Sequence, residues 1–175
     1  LEFRRQHLND ERLHRQIDKL EEISGWKTRK KNEGYGAAIT ECFNTPVGQV
    51  VKVSKSSAGK IKIDKVWAVM DCGWYVNPDT IKAQIEGSIV MAIGAAAIHE
   101  IIFKDGMTVQ KNFYEYIMPR IADAPPVEIH IMENDADATG VGEPGLPAFA
   151  PALANAIYDL TGKRIRKLPI DLAKV

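Results

Sequence analysis

KIKIDKVWAVM, Lys60 to Met70, decides the fold. Its first half alternates, with Ile61 and Ile63 set against Lys62 and Asp64, while Val66 to Met70 is apolar on consecutive positions. That pattern predicts a strand that is half-buried where it starts and covered on both faces where it ends. Two further strands precede it, Tyr35 to Phe43 and Val47 to Val53, the second with Val47, Gln49, Val51 and Val53 on one face. Turn residues at Thr45-Pro46-Val47-Gly48 and Ser56-Ser57-Ala58-Gly59-Lys60 predict that the three form an antiparallel meander.

Upstream the period changes from two to nearly four. Leu13, Ile17, Leu20 and Ile23 predict an amphipathic helix from Asn9 to Ser24, started by Asn9 or Asp10 and ended by Gly25. The basic run Lys27 to Lys31 reads as a solvated linker. Downstream, Ile81, Ile85, Ile89 and Ile93 predict a helix from Asp79 to Glu100, so apolar after Gly87 that it should be buried around most of its circumference, with Gly87, Gly94 and the alanines admitting a second backbone. A hairpin is expected from Ile101–Phe103 and Thr108–Gln110, irregular chain from Asn112 to Pro126, and a half-buried strand where Val127, Ile129 and Ile131 alternate with polar partners. The loop Thr139 to Gly145 then leads to a helix from Phe149 to Thr161, closed by Gly162, and a last strand is expected at Arg164 to Ile170. The fold class is α+β, a mixed or antiparallel sheet with packed helices. Residues 1–175 are read as one domain, with helix and linker over 1–32 and the sheet, helices and site over 33–175.

Composition narrows the function. The 175 residues carry 23 Lys+Arg against 23 Asp+Glu, so no net field draws in nucleic acid or an anionic membrane. With 45% apolar residues the chain can bury a core. Cys42 and Cys72 are the only cysteines and form no CxxC pair, which argues against a zinc knuckle or an iron–sulfur cluster held here; both read as small, buried side chains. The apolar stretch Ile89 to Ile98 is too short to cross a bilayer, so no transmembrane segment is expected. The four histidines lack metal-ligand spacing, and His99 reads as a helix C-terminal partner. Asp135, Asp137 and Thr139 match the start of a calcium loop, but Leu146 stands where its bidentate Glu belongs.

The sharpest chemical feature is Gly140-Val141-Gly142-Glu143-Pro144-Gly145, a carboxylate on a glycine loop ahead of a helix. Glu143 reads either as a general base or as a turn residue capping the next helix. Gln84, placed among Ile81, Ile85 and Ile89, should need a partner, either loop backbone or a ligand.

Several segments taken in order resemble one family. Asp71-Cys72-Gly73-Trp74-Tyr75-Val76-Asn77-Pro78, Gln84-Ile85-Glu86-Gly87, Asn112-Phe113 with Tyr116, Gly140 to Gly145, Ala150-Pro151-Ala152 with Ala154-Asn155-Ala156-Ile157, and Gly162-Lys163-Arg164-Ile165-Arg166 are similar to the C-terminal part of the molybdenum-binding large subunit of the xanthine oxidase family. The branch is that of isoquinoline 1-oxidoreductase and bacterial aldehyde dehydrogenase large subunits. The resemblance implies a hydroxylase that places water-derived oxygen on an aldehyde or N-heterocycle and passes two electrons to iron–sulfur clusters of a small 2Fe-2S partner subunit. It implies Glu143 as general base, Gln84 as a hydrogen-bonding partner of the molybdopterin cofactor in its dinucleotide form, and Gly140 and Gly142 as the positions that let the loop approach that cofactor. No residue of this chain is assigned as a metal ligand. Family large subunits are several times longer and Leu1 is not Met, so the sequence predicts a C-terminal fragment. Such a fragment would hold no cofactor tightly, would be inactive alone, and would cover its exposed apolar surface with the remainder of the large subunit or with itself.

Overall fold

The computed structural model describes residues 1–175. Strands β1 (Gly34–Cys42), β2 (Thr45–Lys55) and β3 (Ile61–Met70) form the expected antiparallel meander, and β6 (Val127–Ile131) adds in parallel beside β3, so the sheet is mixed in the order β1-β2-β3-β6. One turn sits elsewhere than expected. The β1–β2 hairpin closes at Phe43-Asn44, both with positive φ, as a two-residue turn, and Thr45 to Gly48 already belong to β2. Thr45-Pro46 looks like turn chemistry, but Pro46 occupies a strand position beside Glu41.

Both faces of the sheet are covered, as the end of β3 predicts. Helix α2 (Glu11–Ser24) lies on one face, capped by Asp10 through a 2.8 Å bond to the Arg12 N–H and closed by left-handed Gly25; its Leu20 packs with Tyr35, Val50, Trp67 and Val69. A short helix α1 (Glu2–His7) precedes it, unforeseen because six residues show no period, and is tied down by the Arg4 guanidinium to the Ala37 carbonyl at 3.0 Å. On the other face, α3 (Pro78–Ile93) and α4 (Phe149–Thr161) bury Ile81, Ile85, Ile89, Phe149, Leu153 and Ile157 against Val47, Val51, Val66 and Met70. Helix α4 reaches close to β1 because Gly36 has no side chain; a Cβ there would collide with the Ala152 carbonyl and the Ala156 amide. The outer edge of β1 is closed by side chains, Asp159 accepting from the Tyr35 N–H and Asn155 donating to the Ala37 carbonyl.

Four expectations are corrected. Helix α3 continues through a π-turn at Gly94–Ile98, but it is not buried all round: Gln84, Gly87 and Met91 lie on an exposed face, and nothing packs on Gly87. Pro78–Ile98 is also long and apolar enough by composition to cross a membrane, more than the shorter stretch implies, although its isoleucine row is spent on the core. Cys42 is only partly buried, unlike Cys72. No strand forms at Arg164 to Ile170. That segment runs largely exposed, and only Ile170 is buried, its N–H donating to the Ala96 carbonyl freed at the π-turn. The hairpin survives as β4 (Phe103–Lys104) and β5 (Met107–Thr108), within an arm that runs from Glu100 to Pro126.

Candidate functional site

The carboxyl end of β3 organises the site. Asp71, fully enclosed, takes a two-pronged hydrogen bond from the Arg12 guanidinium at 2.9 and 3.1 Å, and also accepts from the Asn134 amide at 2.8 Å and the Gly73 N–H at 3.3 Å. Burial alone raises the pKa of this carboxyl, and the bonds from Arg12, Asn134 and Gly73 together outweigh it, so it lies below the ordinary Asp value. Burial pushes the neighbouring Cys72 thiol up, which makes it a poor nucleophile. The chain leaving β6 is thereby laid alongside Asp71–Trp74, with the Trp74 N–H on the Ala136 carbonyl at 2.8 Å and the Thr139 N–H on the Cys72 carbonyl at 2.9 Å. This places the glycine loop beside the exposed face of α3.

A groove of about 660 Å³ opens there, lined by Phe43, Gln84, Ser88, Met91, Gly140, Gly142 and Glu143 among others. All four residues singled out in the sequence line it. Gln84 is exposed rather than embedded in the core, and its Nε2 donates to the Gly142 carbonyl at 3.1 Å. Its partner is thus the loop itself, and the amide oxygen and second N–H remain available to a ligand. Glu143 is exposed in the groove; Ala148 is the N-cap of helix α4 and no side chain caps the helix, so Glu143 is not a capping residue. The two glycines differ. A Cβ at Gly142 would meet only Gln84 Nε2, at 3.9 Å, so Gly142 is open to the groove. At Gly140 a Cβ would come within 2.8 Å of the Phe43 Cβ, so that glycine makes room for its own chain. His99, read as a dipole partner, closes the π-turn with its N–H on the Gly94 carbonyl, and its ring lies tilted against Tyr116 with centroids 4.9 Å apart.

Sequence reasoning missed the Asp71 network, since nothing in Arg12, Asp71 and Asn134 signals that they meet, and it missed the contacts of Thr45 and Gln49 with the loop. The groove presents an uncharged hydrogen-bonding edge from Gln84 and Ser88, an open glycine and a carboxylate, with no lysine or arginine in its lining. That donor set fits the neutral edge of a pterin, and it does not fit a phosphate group.

Residues 14–125 match the family described as molybdopterin cofactor-binding domain. The chain belongs to this family. It is 32% identical to isoquinoline 1-oxidoreductase subunit beta of Brevundimonas diminuta over 97% of its length and 22% of that protein's. It is 37% identical to the aldehyde oxidoreductase molybdenum-binding subunit PaoC of Escherichia coli (strain K12) over 75% of its length and 19% of that protein's. Among solved structures it is similar to quinoline 2-oxidoreductase from Pseudomonas putida 86, with a TM-score of 0.66 and 27% identity over 73% of this chain and 17% of that one. It is also similar to the aldehyde oxidoreductase from Desulfovibrio desulfuricans ATCC 27774, with a TM-score of 0.64 and 27% identity over 74% of this chain and 15% of that one. The chain therefore spans about a fifth of the length of these curated relatives.

Proposed function

We propose that this chain supplies one wall of a molybdenum hydroxylase site, in an enzyme that oxidises aldehydes or N-heterocycles with water-derived oxygen and passes the electrons to a small 2Fe-2S subunit. The observation that carries the reading is the convergence of Gln84 from α3 with Gly142 and Glu143 from a loop distant in sequence, joined by the 3.1 Å bond from Gln84 to the Gly142 carbonyl. Gln84 would hold the pterin edge of a molybdopterin dinucleotide through its free amide groups, and Gly142 leaves the backbone open to it. The phosphates belong to residues outside this groove, which has no cation to meet them. When bound, the cofactor supplies the oxidising centre that takes the electron pair from the substrate C–H bond.

Glu143 serves as the general base. Its carboxylate accepts the proton released by the water-derived oxygen as that oxygen attacks the substrate carbon. Because the side chain stands in the open groove rather than paired within the fold, the proton has a free acceptor. The rest of the large subunit is the natural partner of this chain, given the apolar side chains that the arm leaves exposed, Phe113 at 95% and Ile121 at 96%. The 175-residue chain by itself turns over neither aldehyde nor heterocycle.

The deciding experiment is Glu143→Gln in the assembled enzyme that carries this chain. Turnover drops by about 10²–10⁴-fold with molybdenum content unchanged, as expected for loss of a base that acts in the transition state. Turnover near wild type would make the groove part of a non-catalytic binding or assembly module of the same fold.

A further inference from the structure

The glycine loop is held in place by side chains of other elements more than by turns of its own. Its carbonyls at Gly140, Gly142 and Gly145 accept from the Thr45 hydroxyl at 2.6 Å, Gln84 Nε2 at 3.1 Å and Gln49 Nε2 at 2.5 Å. Thr45 and Gln49 both come from β2, and both are completely buried. A hydroxyl has one proton to give. Since Thr45 gives it to Gly140, the 2.6 Å contact between the Thr45 and Thr139 hydroxyls is a bond donated by Thr139.

Gln49 stands in a row of valines, Val47, Val51 and Val53, all of which pack into the core. Its amide oxygen is buried and has no partner, a cost that a fourth apolar residue would avoid. What the glutamine contributes is its donor to the Gly145 carbonyl. The two strand residues therefore grip the loop on either side of Glu143. Between them lie only the Gln84 contact and the bond from the Leu146 N–H to the Glu143 carbonyl at 3.0 Å.

We infer that Thr45 and Gln49 are positioning residues for Glu143, fixing both ends of its loop to β2 so that the carboxylate is presented to the groove in one place. The inference rests on the reading of Glu143 as the base. Pro144 restricts the backbone at Glu143, but the glycines at 140, 142 and 145 leave both ends of the loop without a conformational bias of their own, and there the two buried donors supply the definition.

The test uses Thr45→Val, Thr45→Ser and Gln49→Met in the assembled enzyme, with Glu143→Gln as the control. Val keeps the shape of Thr and removes the donor; Ser keeps the donor. Thr45→Val and Gln49→Met lower kcat by about 10- to 100-fold, the scale of a reacting group displaced by an ångström, while KM and molybdenum content hold. Thr45→Ser restores most of the rate. In the 175-residue chain, amide hydrogen exchange over residues 139–146 speeds up in the first two variants and stays slow in the serine variant, with β3 unchanged.

The inference is overturned if Thr45→Val and Gln49→Met turn over normally in an enzyme that Glu143→Gln inactivates, a result that leaves the base reading standing. Equal losses from Val and Ser would also overturn it, since shape rather than the hydroxyl would then matter. If Glu143→Gln itself keeps full activity, the base reading has failed and hydrogen exchange alone judges the grip, which unchanged exchange over the loop refutes. Should Thr45→Val fail to fold, Gln49→Met decides the question by the same measurements.

Discussion

Val50 on β2 and Phe113 on the arm are both fit for a hydrophobic core, yet the first is 0% exposed and the second 95%. The difference is not composition. In the sheet, apolar side chains alternate between the two faces of strands held in one ladder, β2 and β3 with partners on both sides, so each face can be closed by a helix. In the arm between Glu100 and Pro126, Ile101, Phe103, Met107, Phe113 and Ile121 follow no period, and the two-residue strands of its hairpin are too short to build a face of their own. Burial within this chain follows from pattern. The arm's apolar side chains, without such a pattern, stay exposed in the chain.

Breaking the sheet side of the comparison has the largest effect. Gly36→Val drives a side chain into the backbone of α4, and since backbone cannot yield as a flexible side chain does, the loss exceeds about 4 kcal/mol and the chain unfolds under ordinary conditions. Urea denaturation followed by circular dichroism measures it; a variant that keeps most of its stability would mean that α4 does not lie on β1 as described. Leu153→Ala, on the same helix and fully buried, costs about 2–5 kcal/mol through lost burial and the cavity left behind.

Much of the sheet side was legible in the sequence, and for the same reason. Alternation located β1, β2, β3 and β6, and cap residues located α2 and α4, because Asp10, Gly25 and Gly162 act within a turn of where they stand. What failed depended on distant partners. Gln84 reads as core because its neighbours are isoleucines, yet it lies on the face of α3 that the fold leaves open. Arg164 to Ile170 has strand-like residues, but it crosses the end of α3 at Ala96 and joins neither edge of the sheet. The site residues were picked out by the order of short motifs. Their meeting in one groove depends on α3 packing beside the loop from β6, and no local signal in the sequence reports that.

An effect of intermediate size sharpens the boundary between sheet and site. Arg12→Ala leaves the Asp71 carboxylate buried with only neutral donors, and stability at neutral pH falls by about 2 kcal/mol, less than for a fully enclosed pair because the Arg12 side chain is a third exposed to solvent. The pH dependence has a definite sign. The native pKa of Asp71 is depressed, so its contribution is fully present above the unfolded value of about 3.9 and is lost as pH falls through the native value. Acid titration of the wild type should therefore show a loss of stability below about pH 4 that shrinks in Arg12→Ala, since the favoured carboxylate is gone. Equal acid profiles would show that Arg12 does not set the charge state of Asp71.

The smallest effect is expected in the arm, where it is most informative. Phe113→Ser and Ile121→Ser remove large apolar side chains, and anywhere in the sheet such changes would cost several kcal/mol. Both residues are almost wholly exposed in the chain, so each should change its stability by no more than about 0.5 kcal/mol. The same substitutions should raise the concentration at which the isolated chain stays monomeric in sedimentation, because they remove surface that otherwise finds a partner. A destabilisation of a kcal/mol or more in dilute monomer would mean that the arm folds back on its own sheet. The contrast between Val50 and Phe113 would then be one of two cores in the same chain, and the arm would no longer support a partner for this wall of the site.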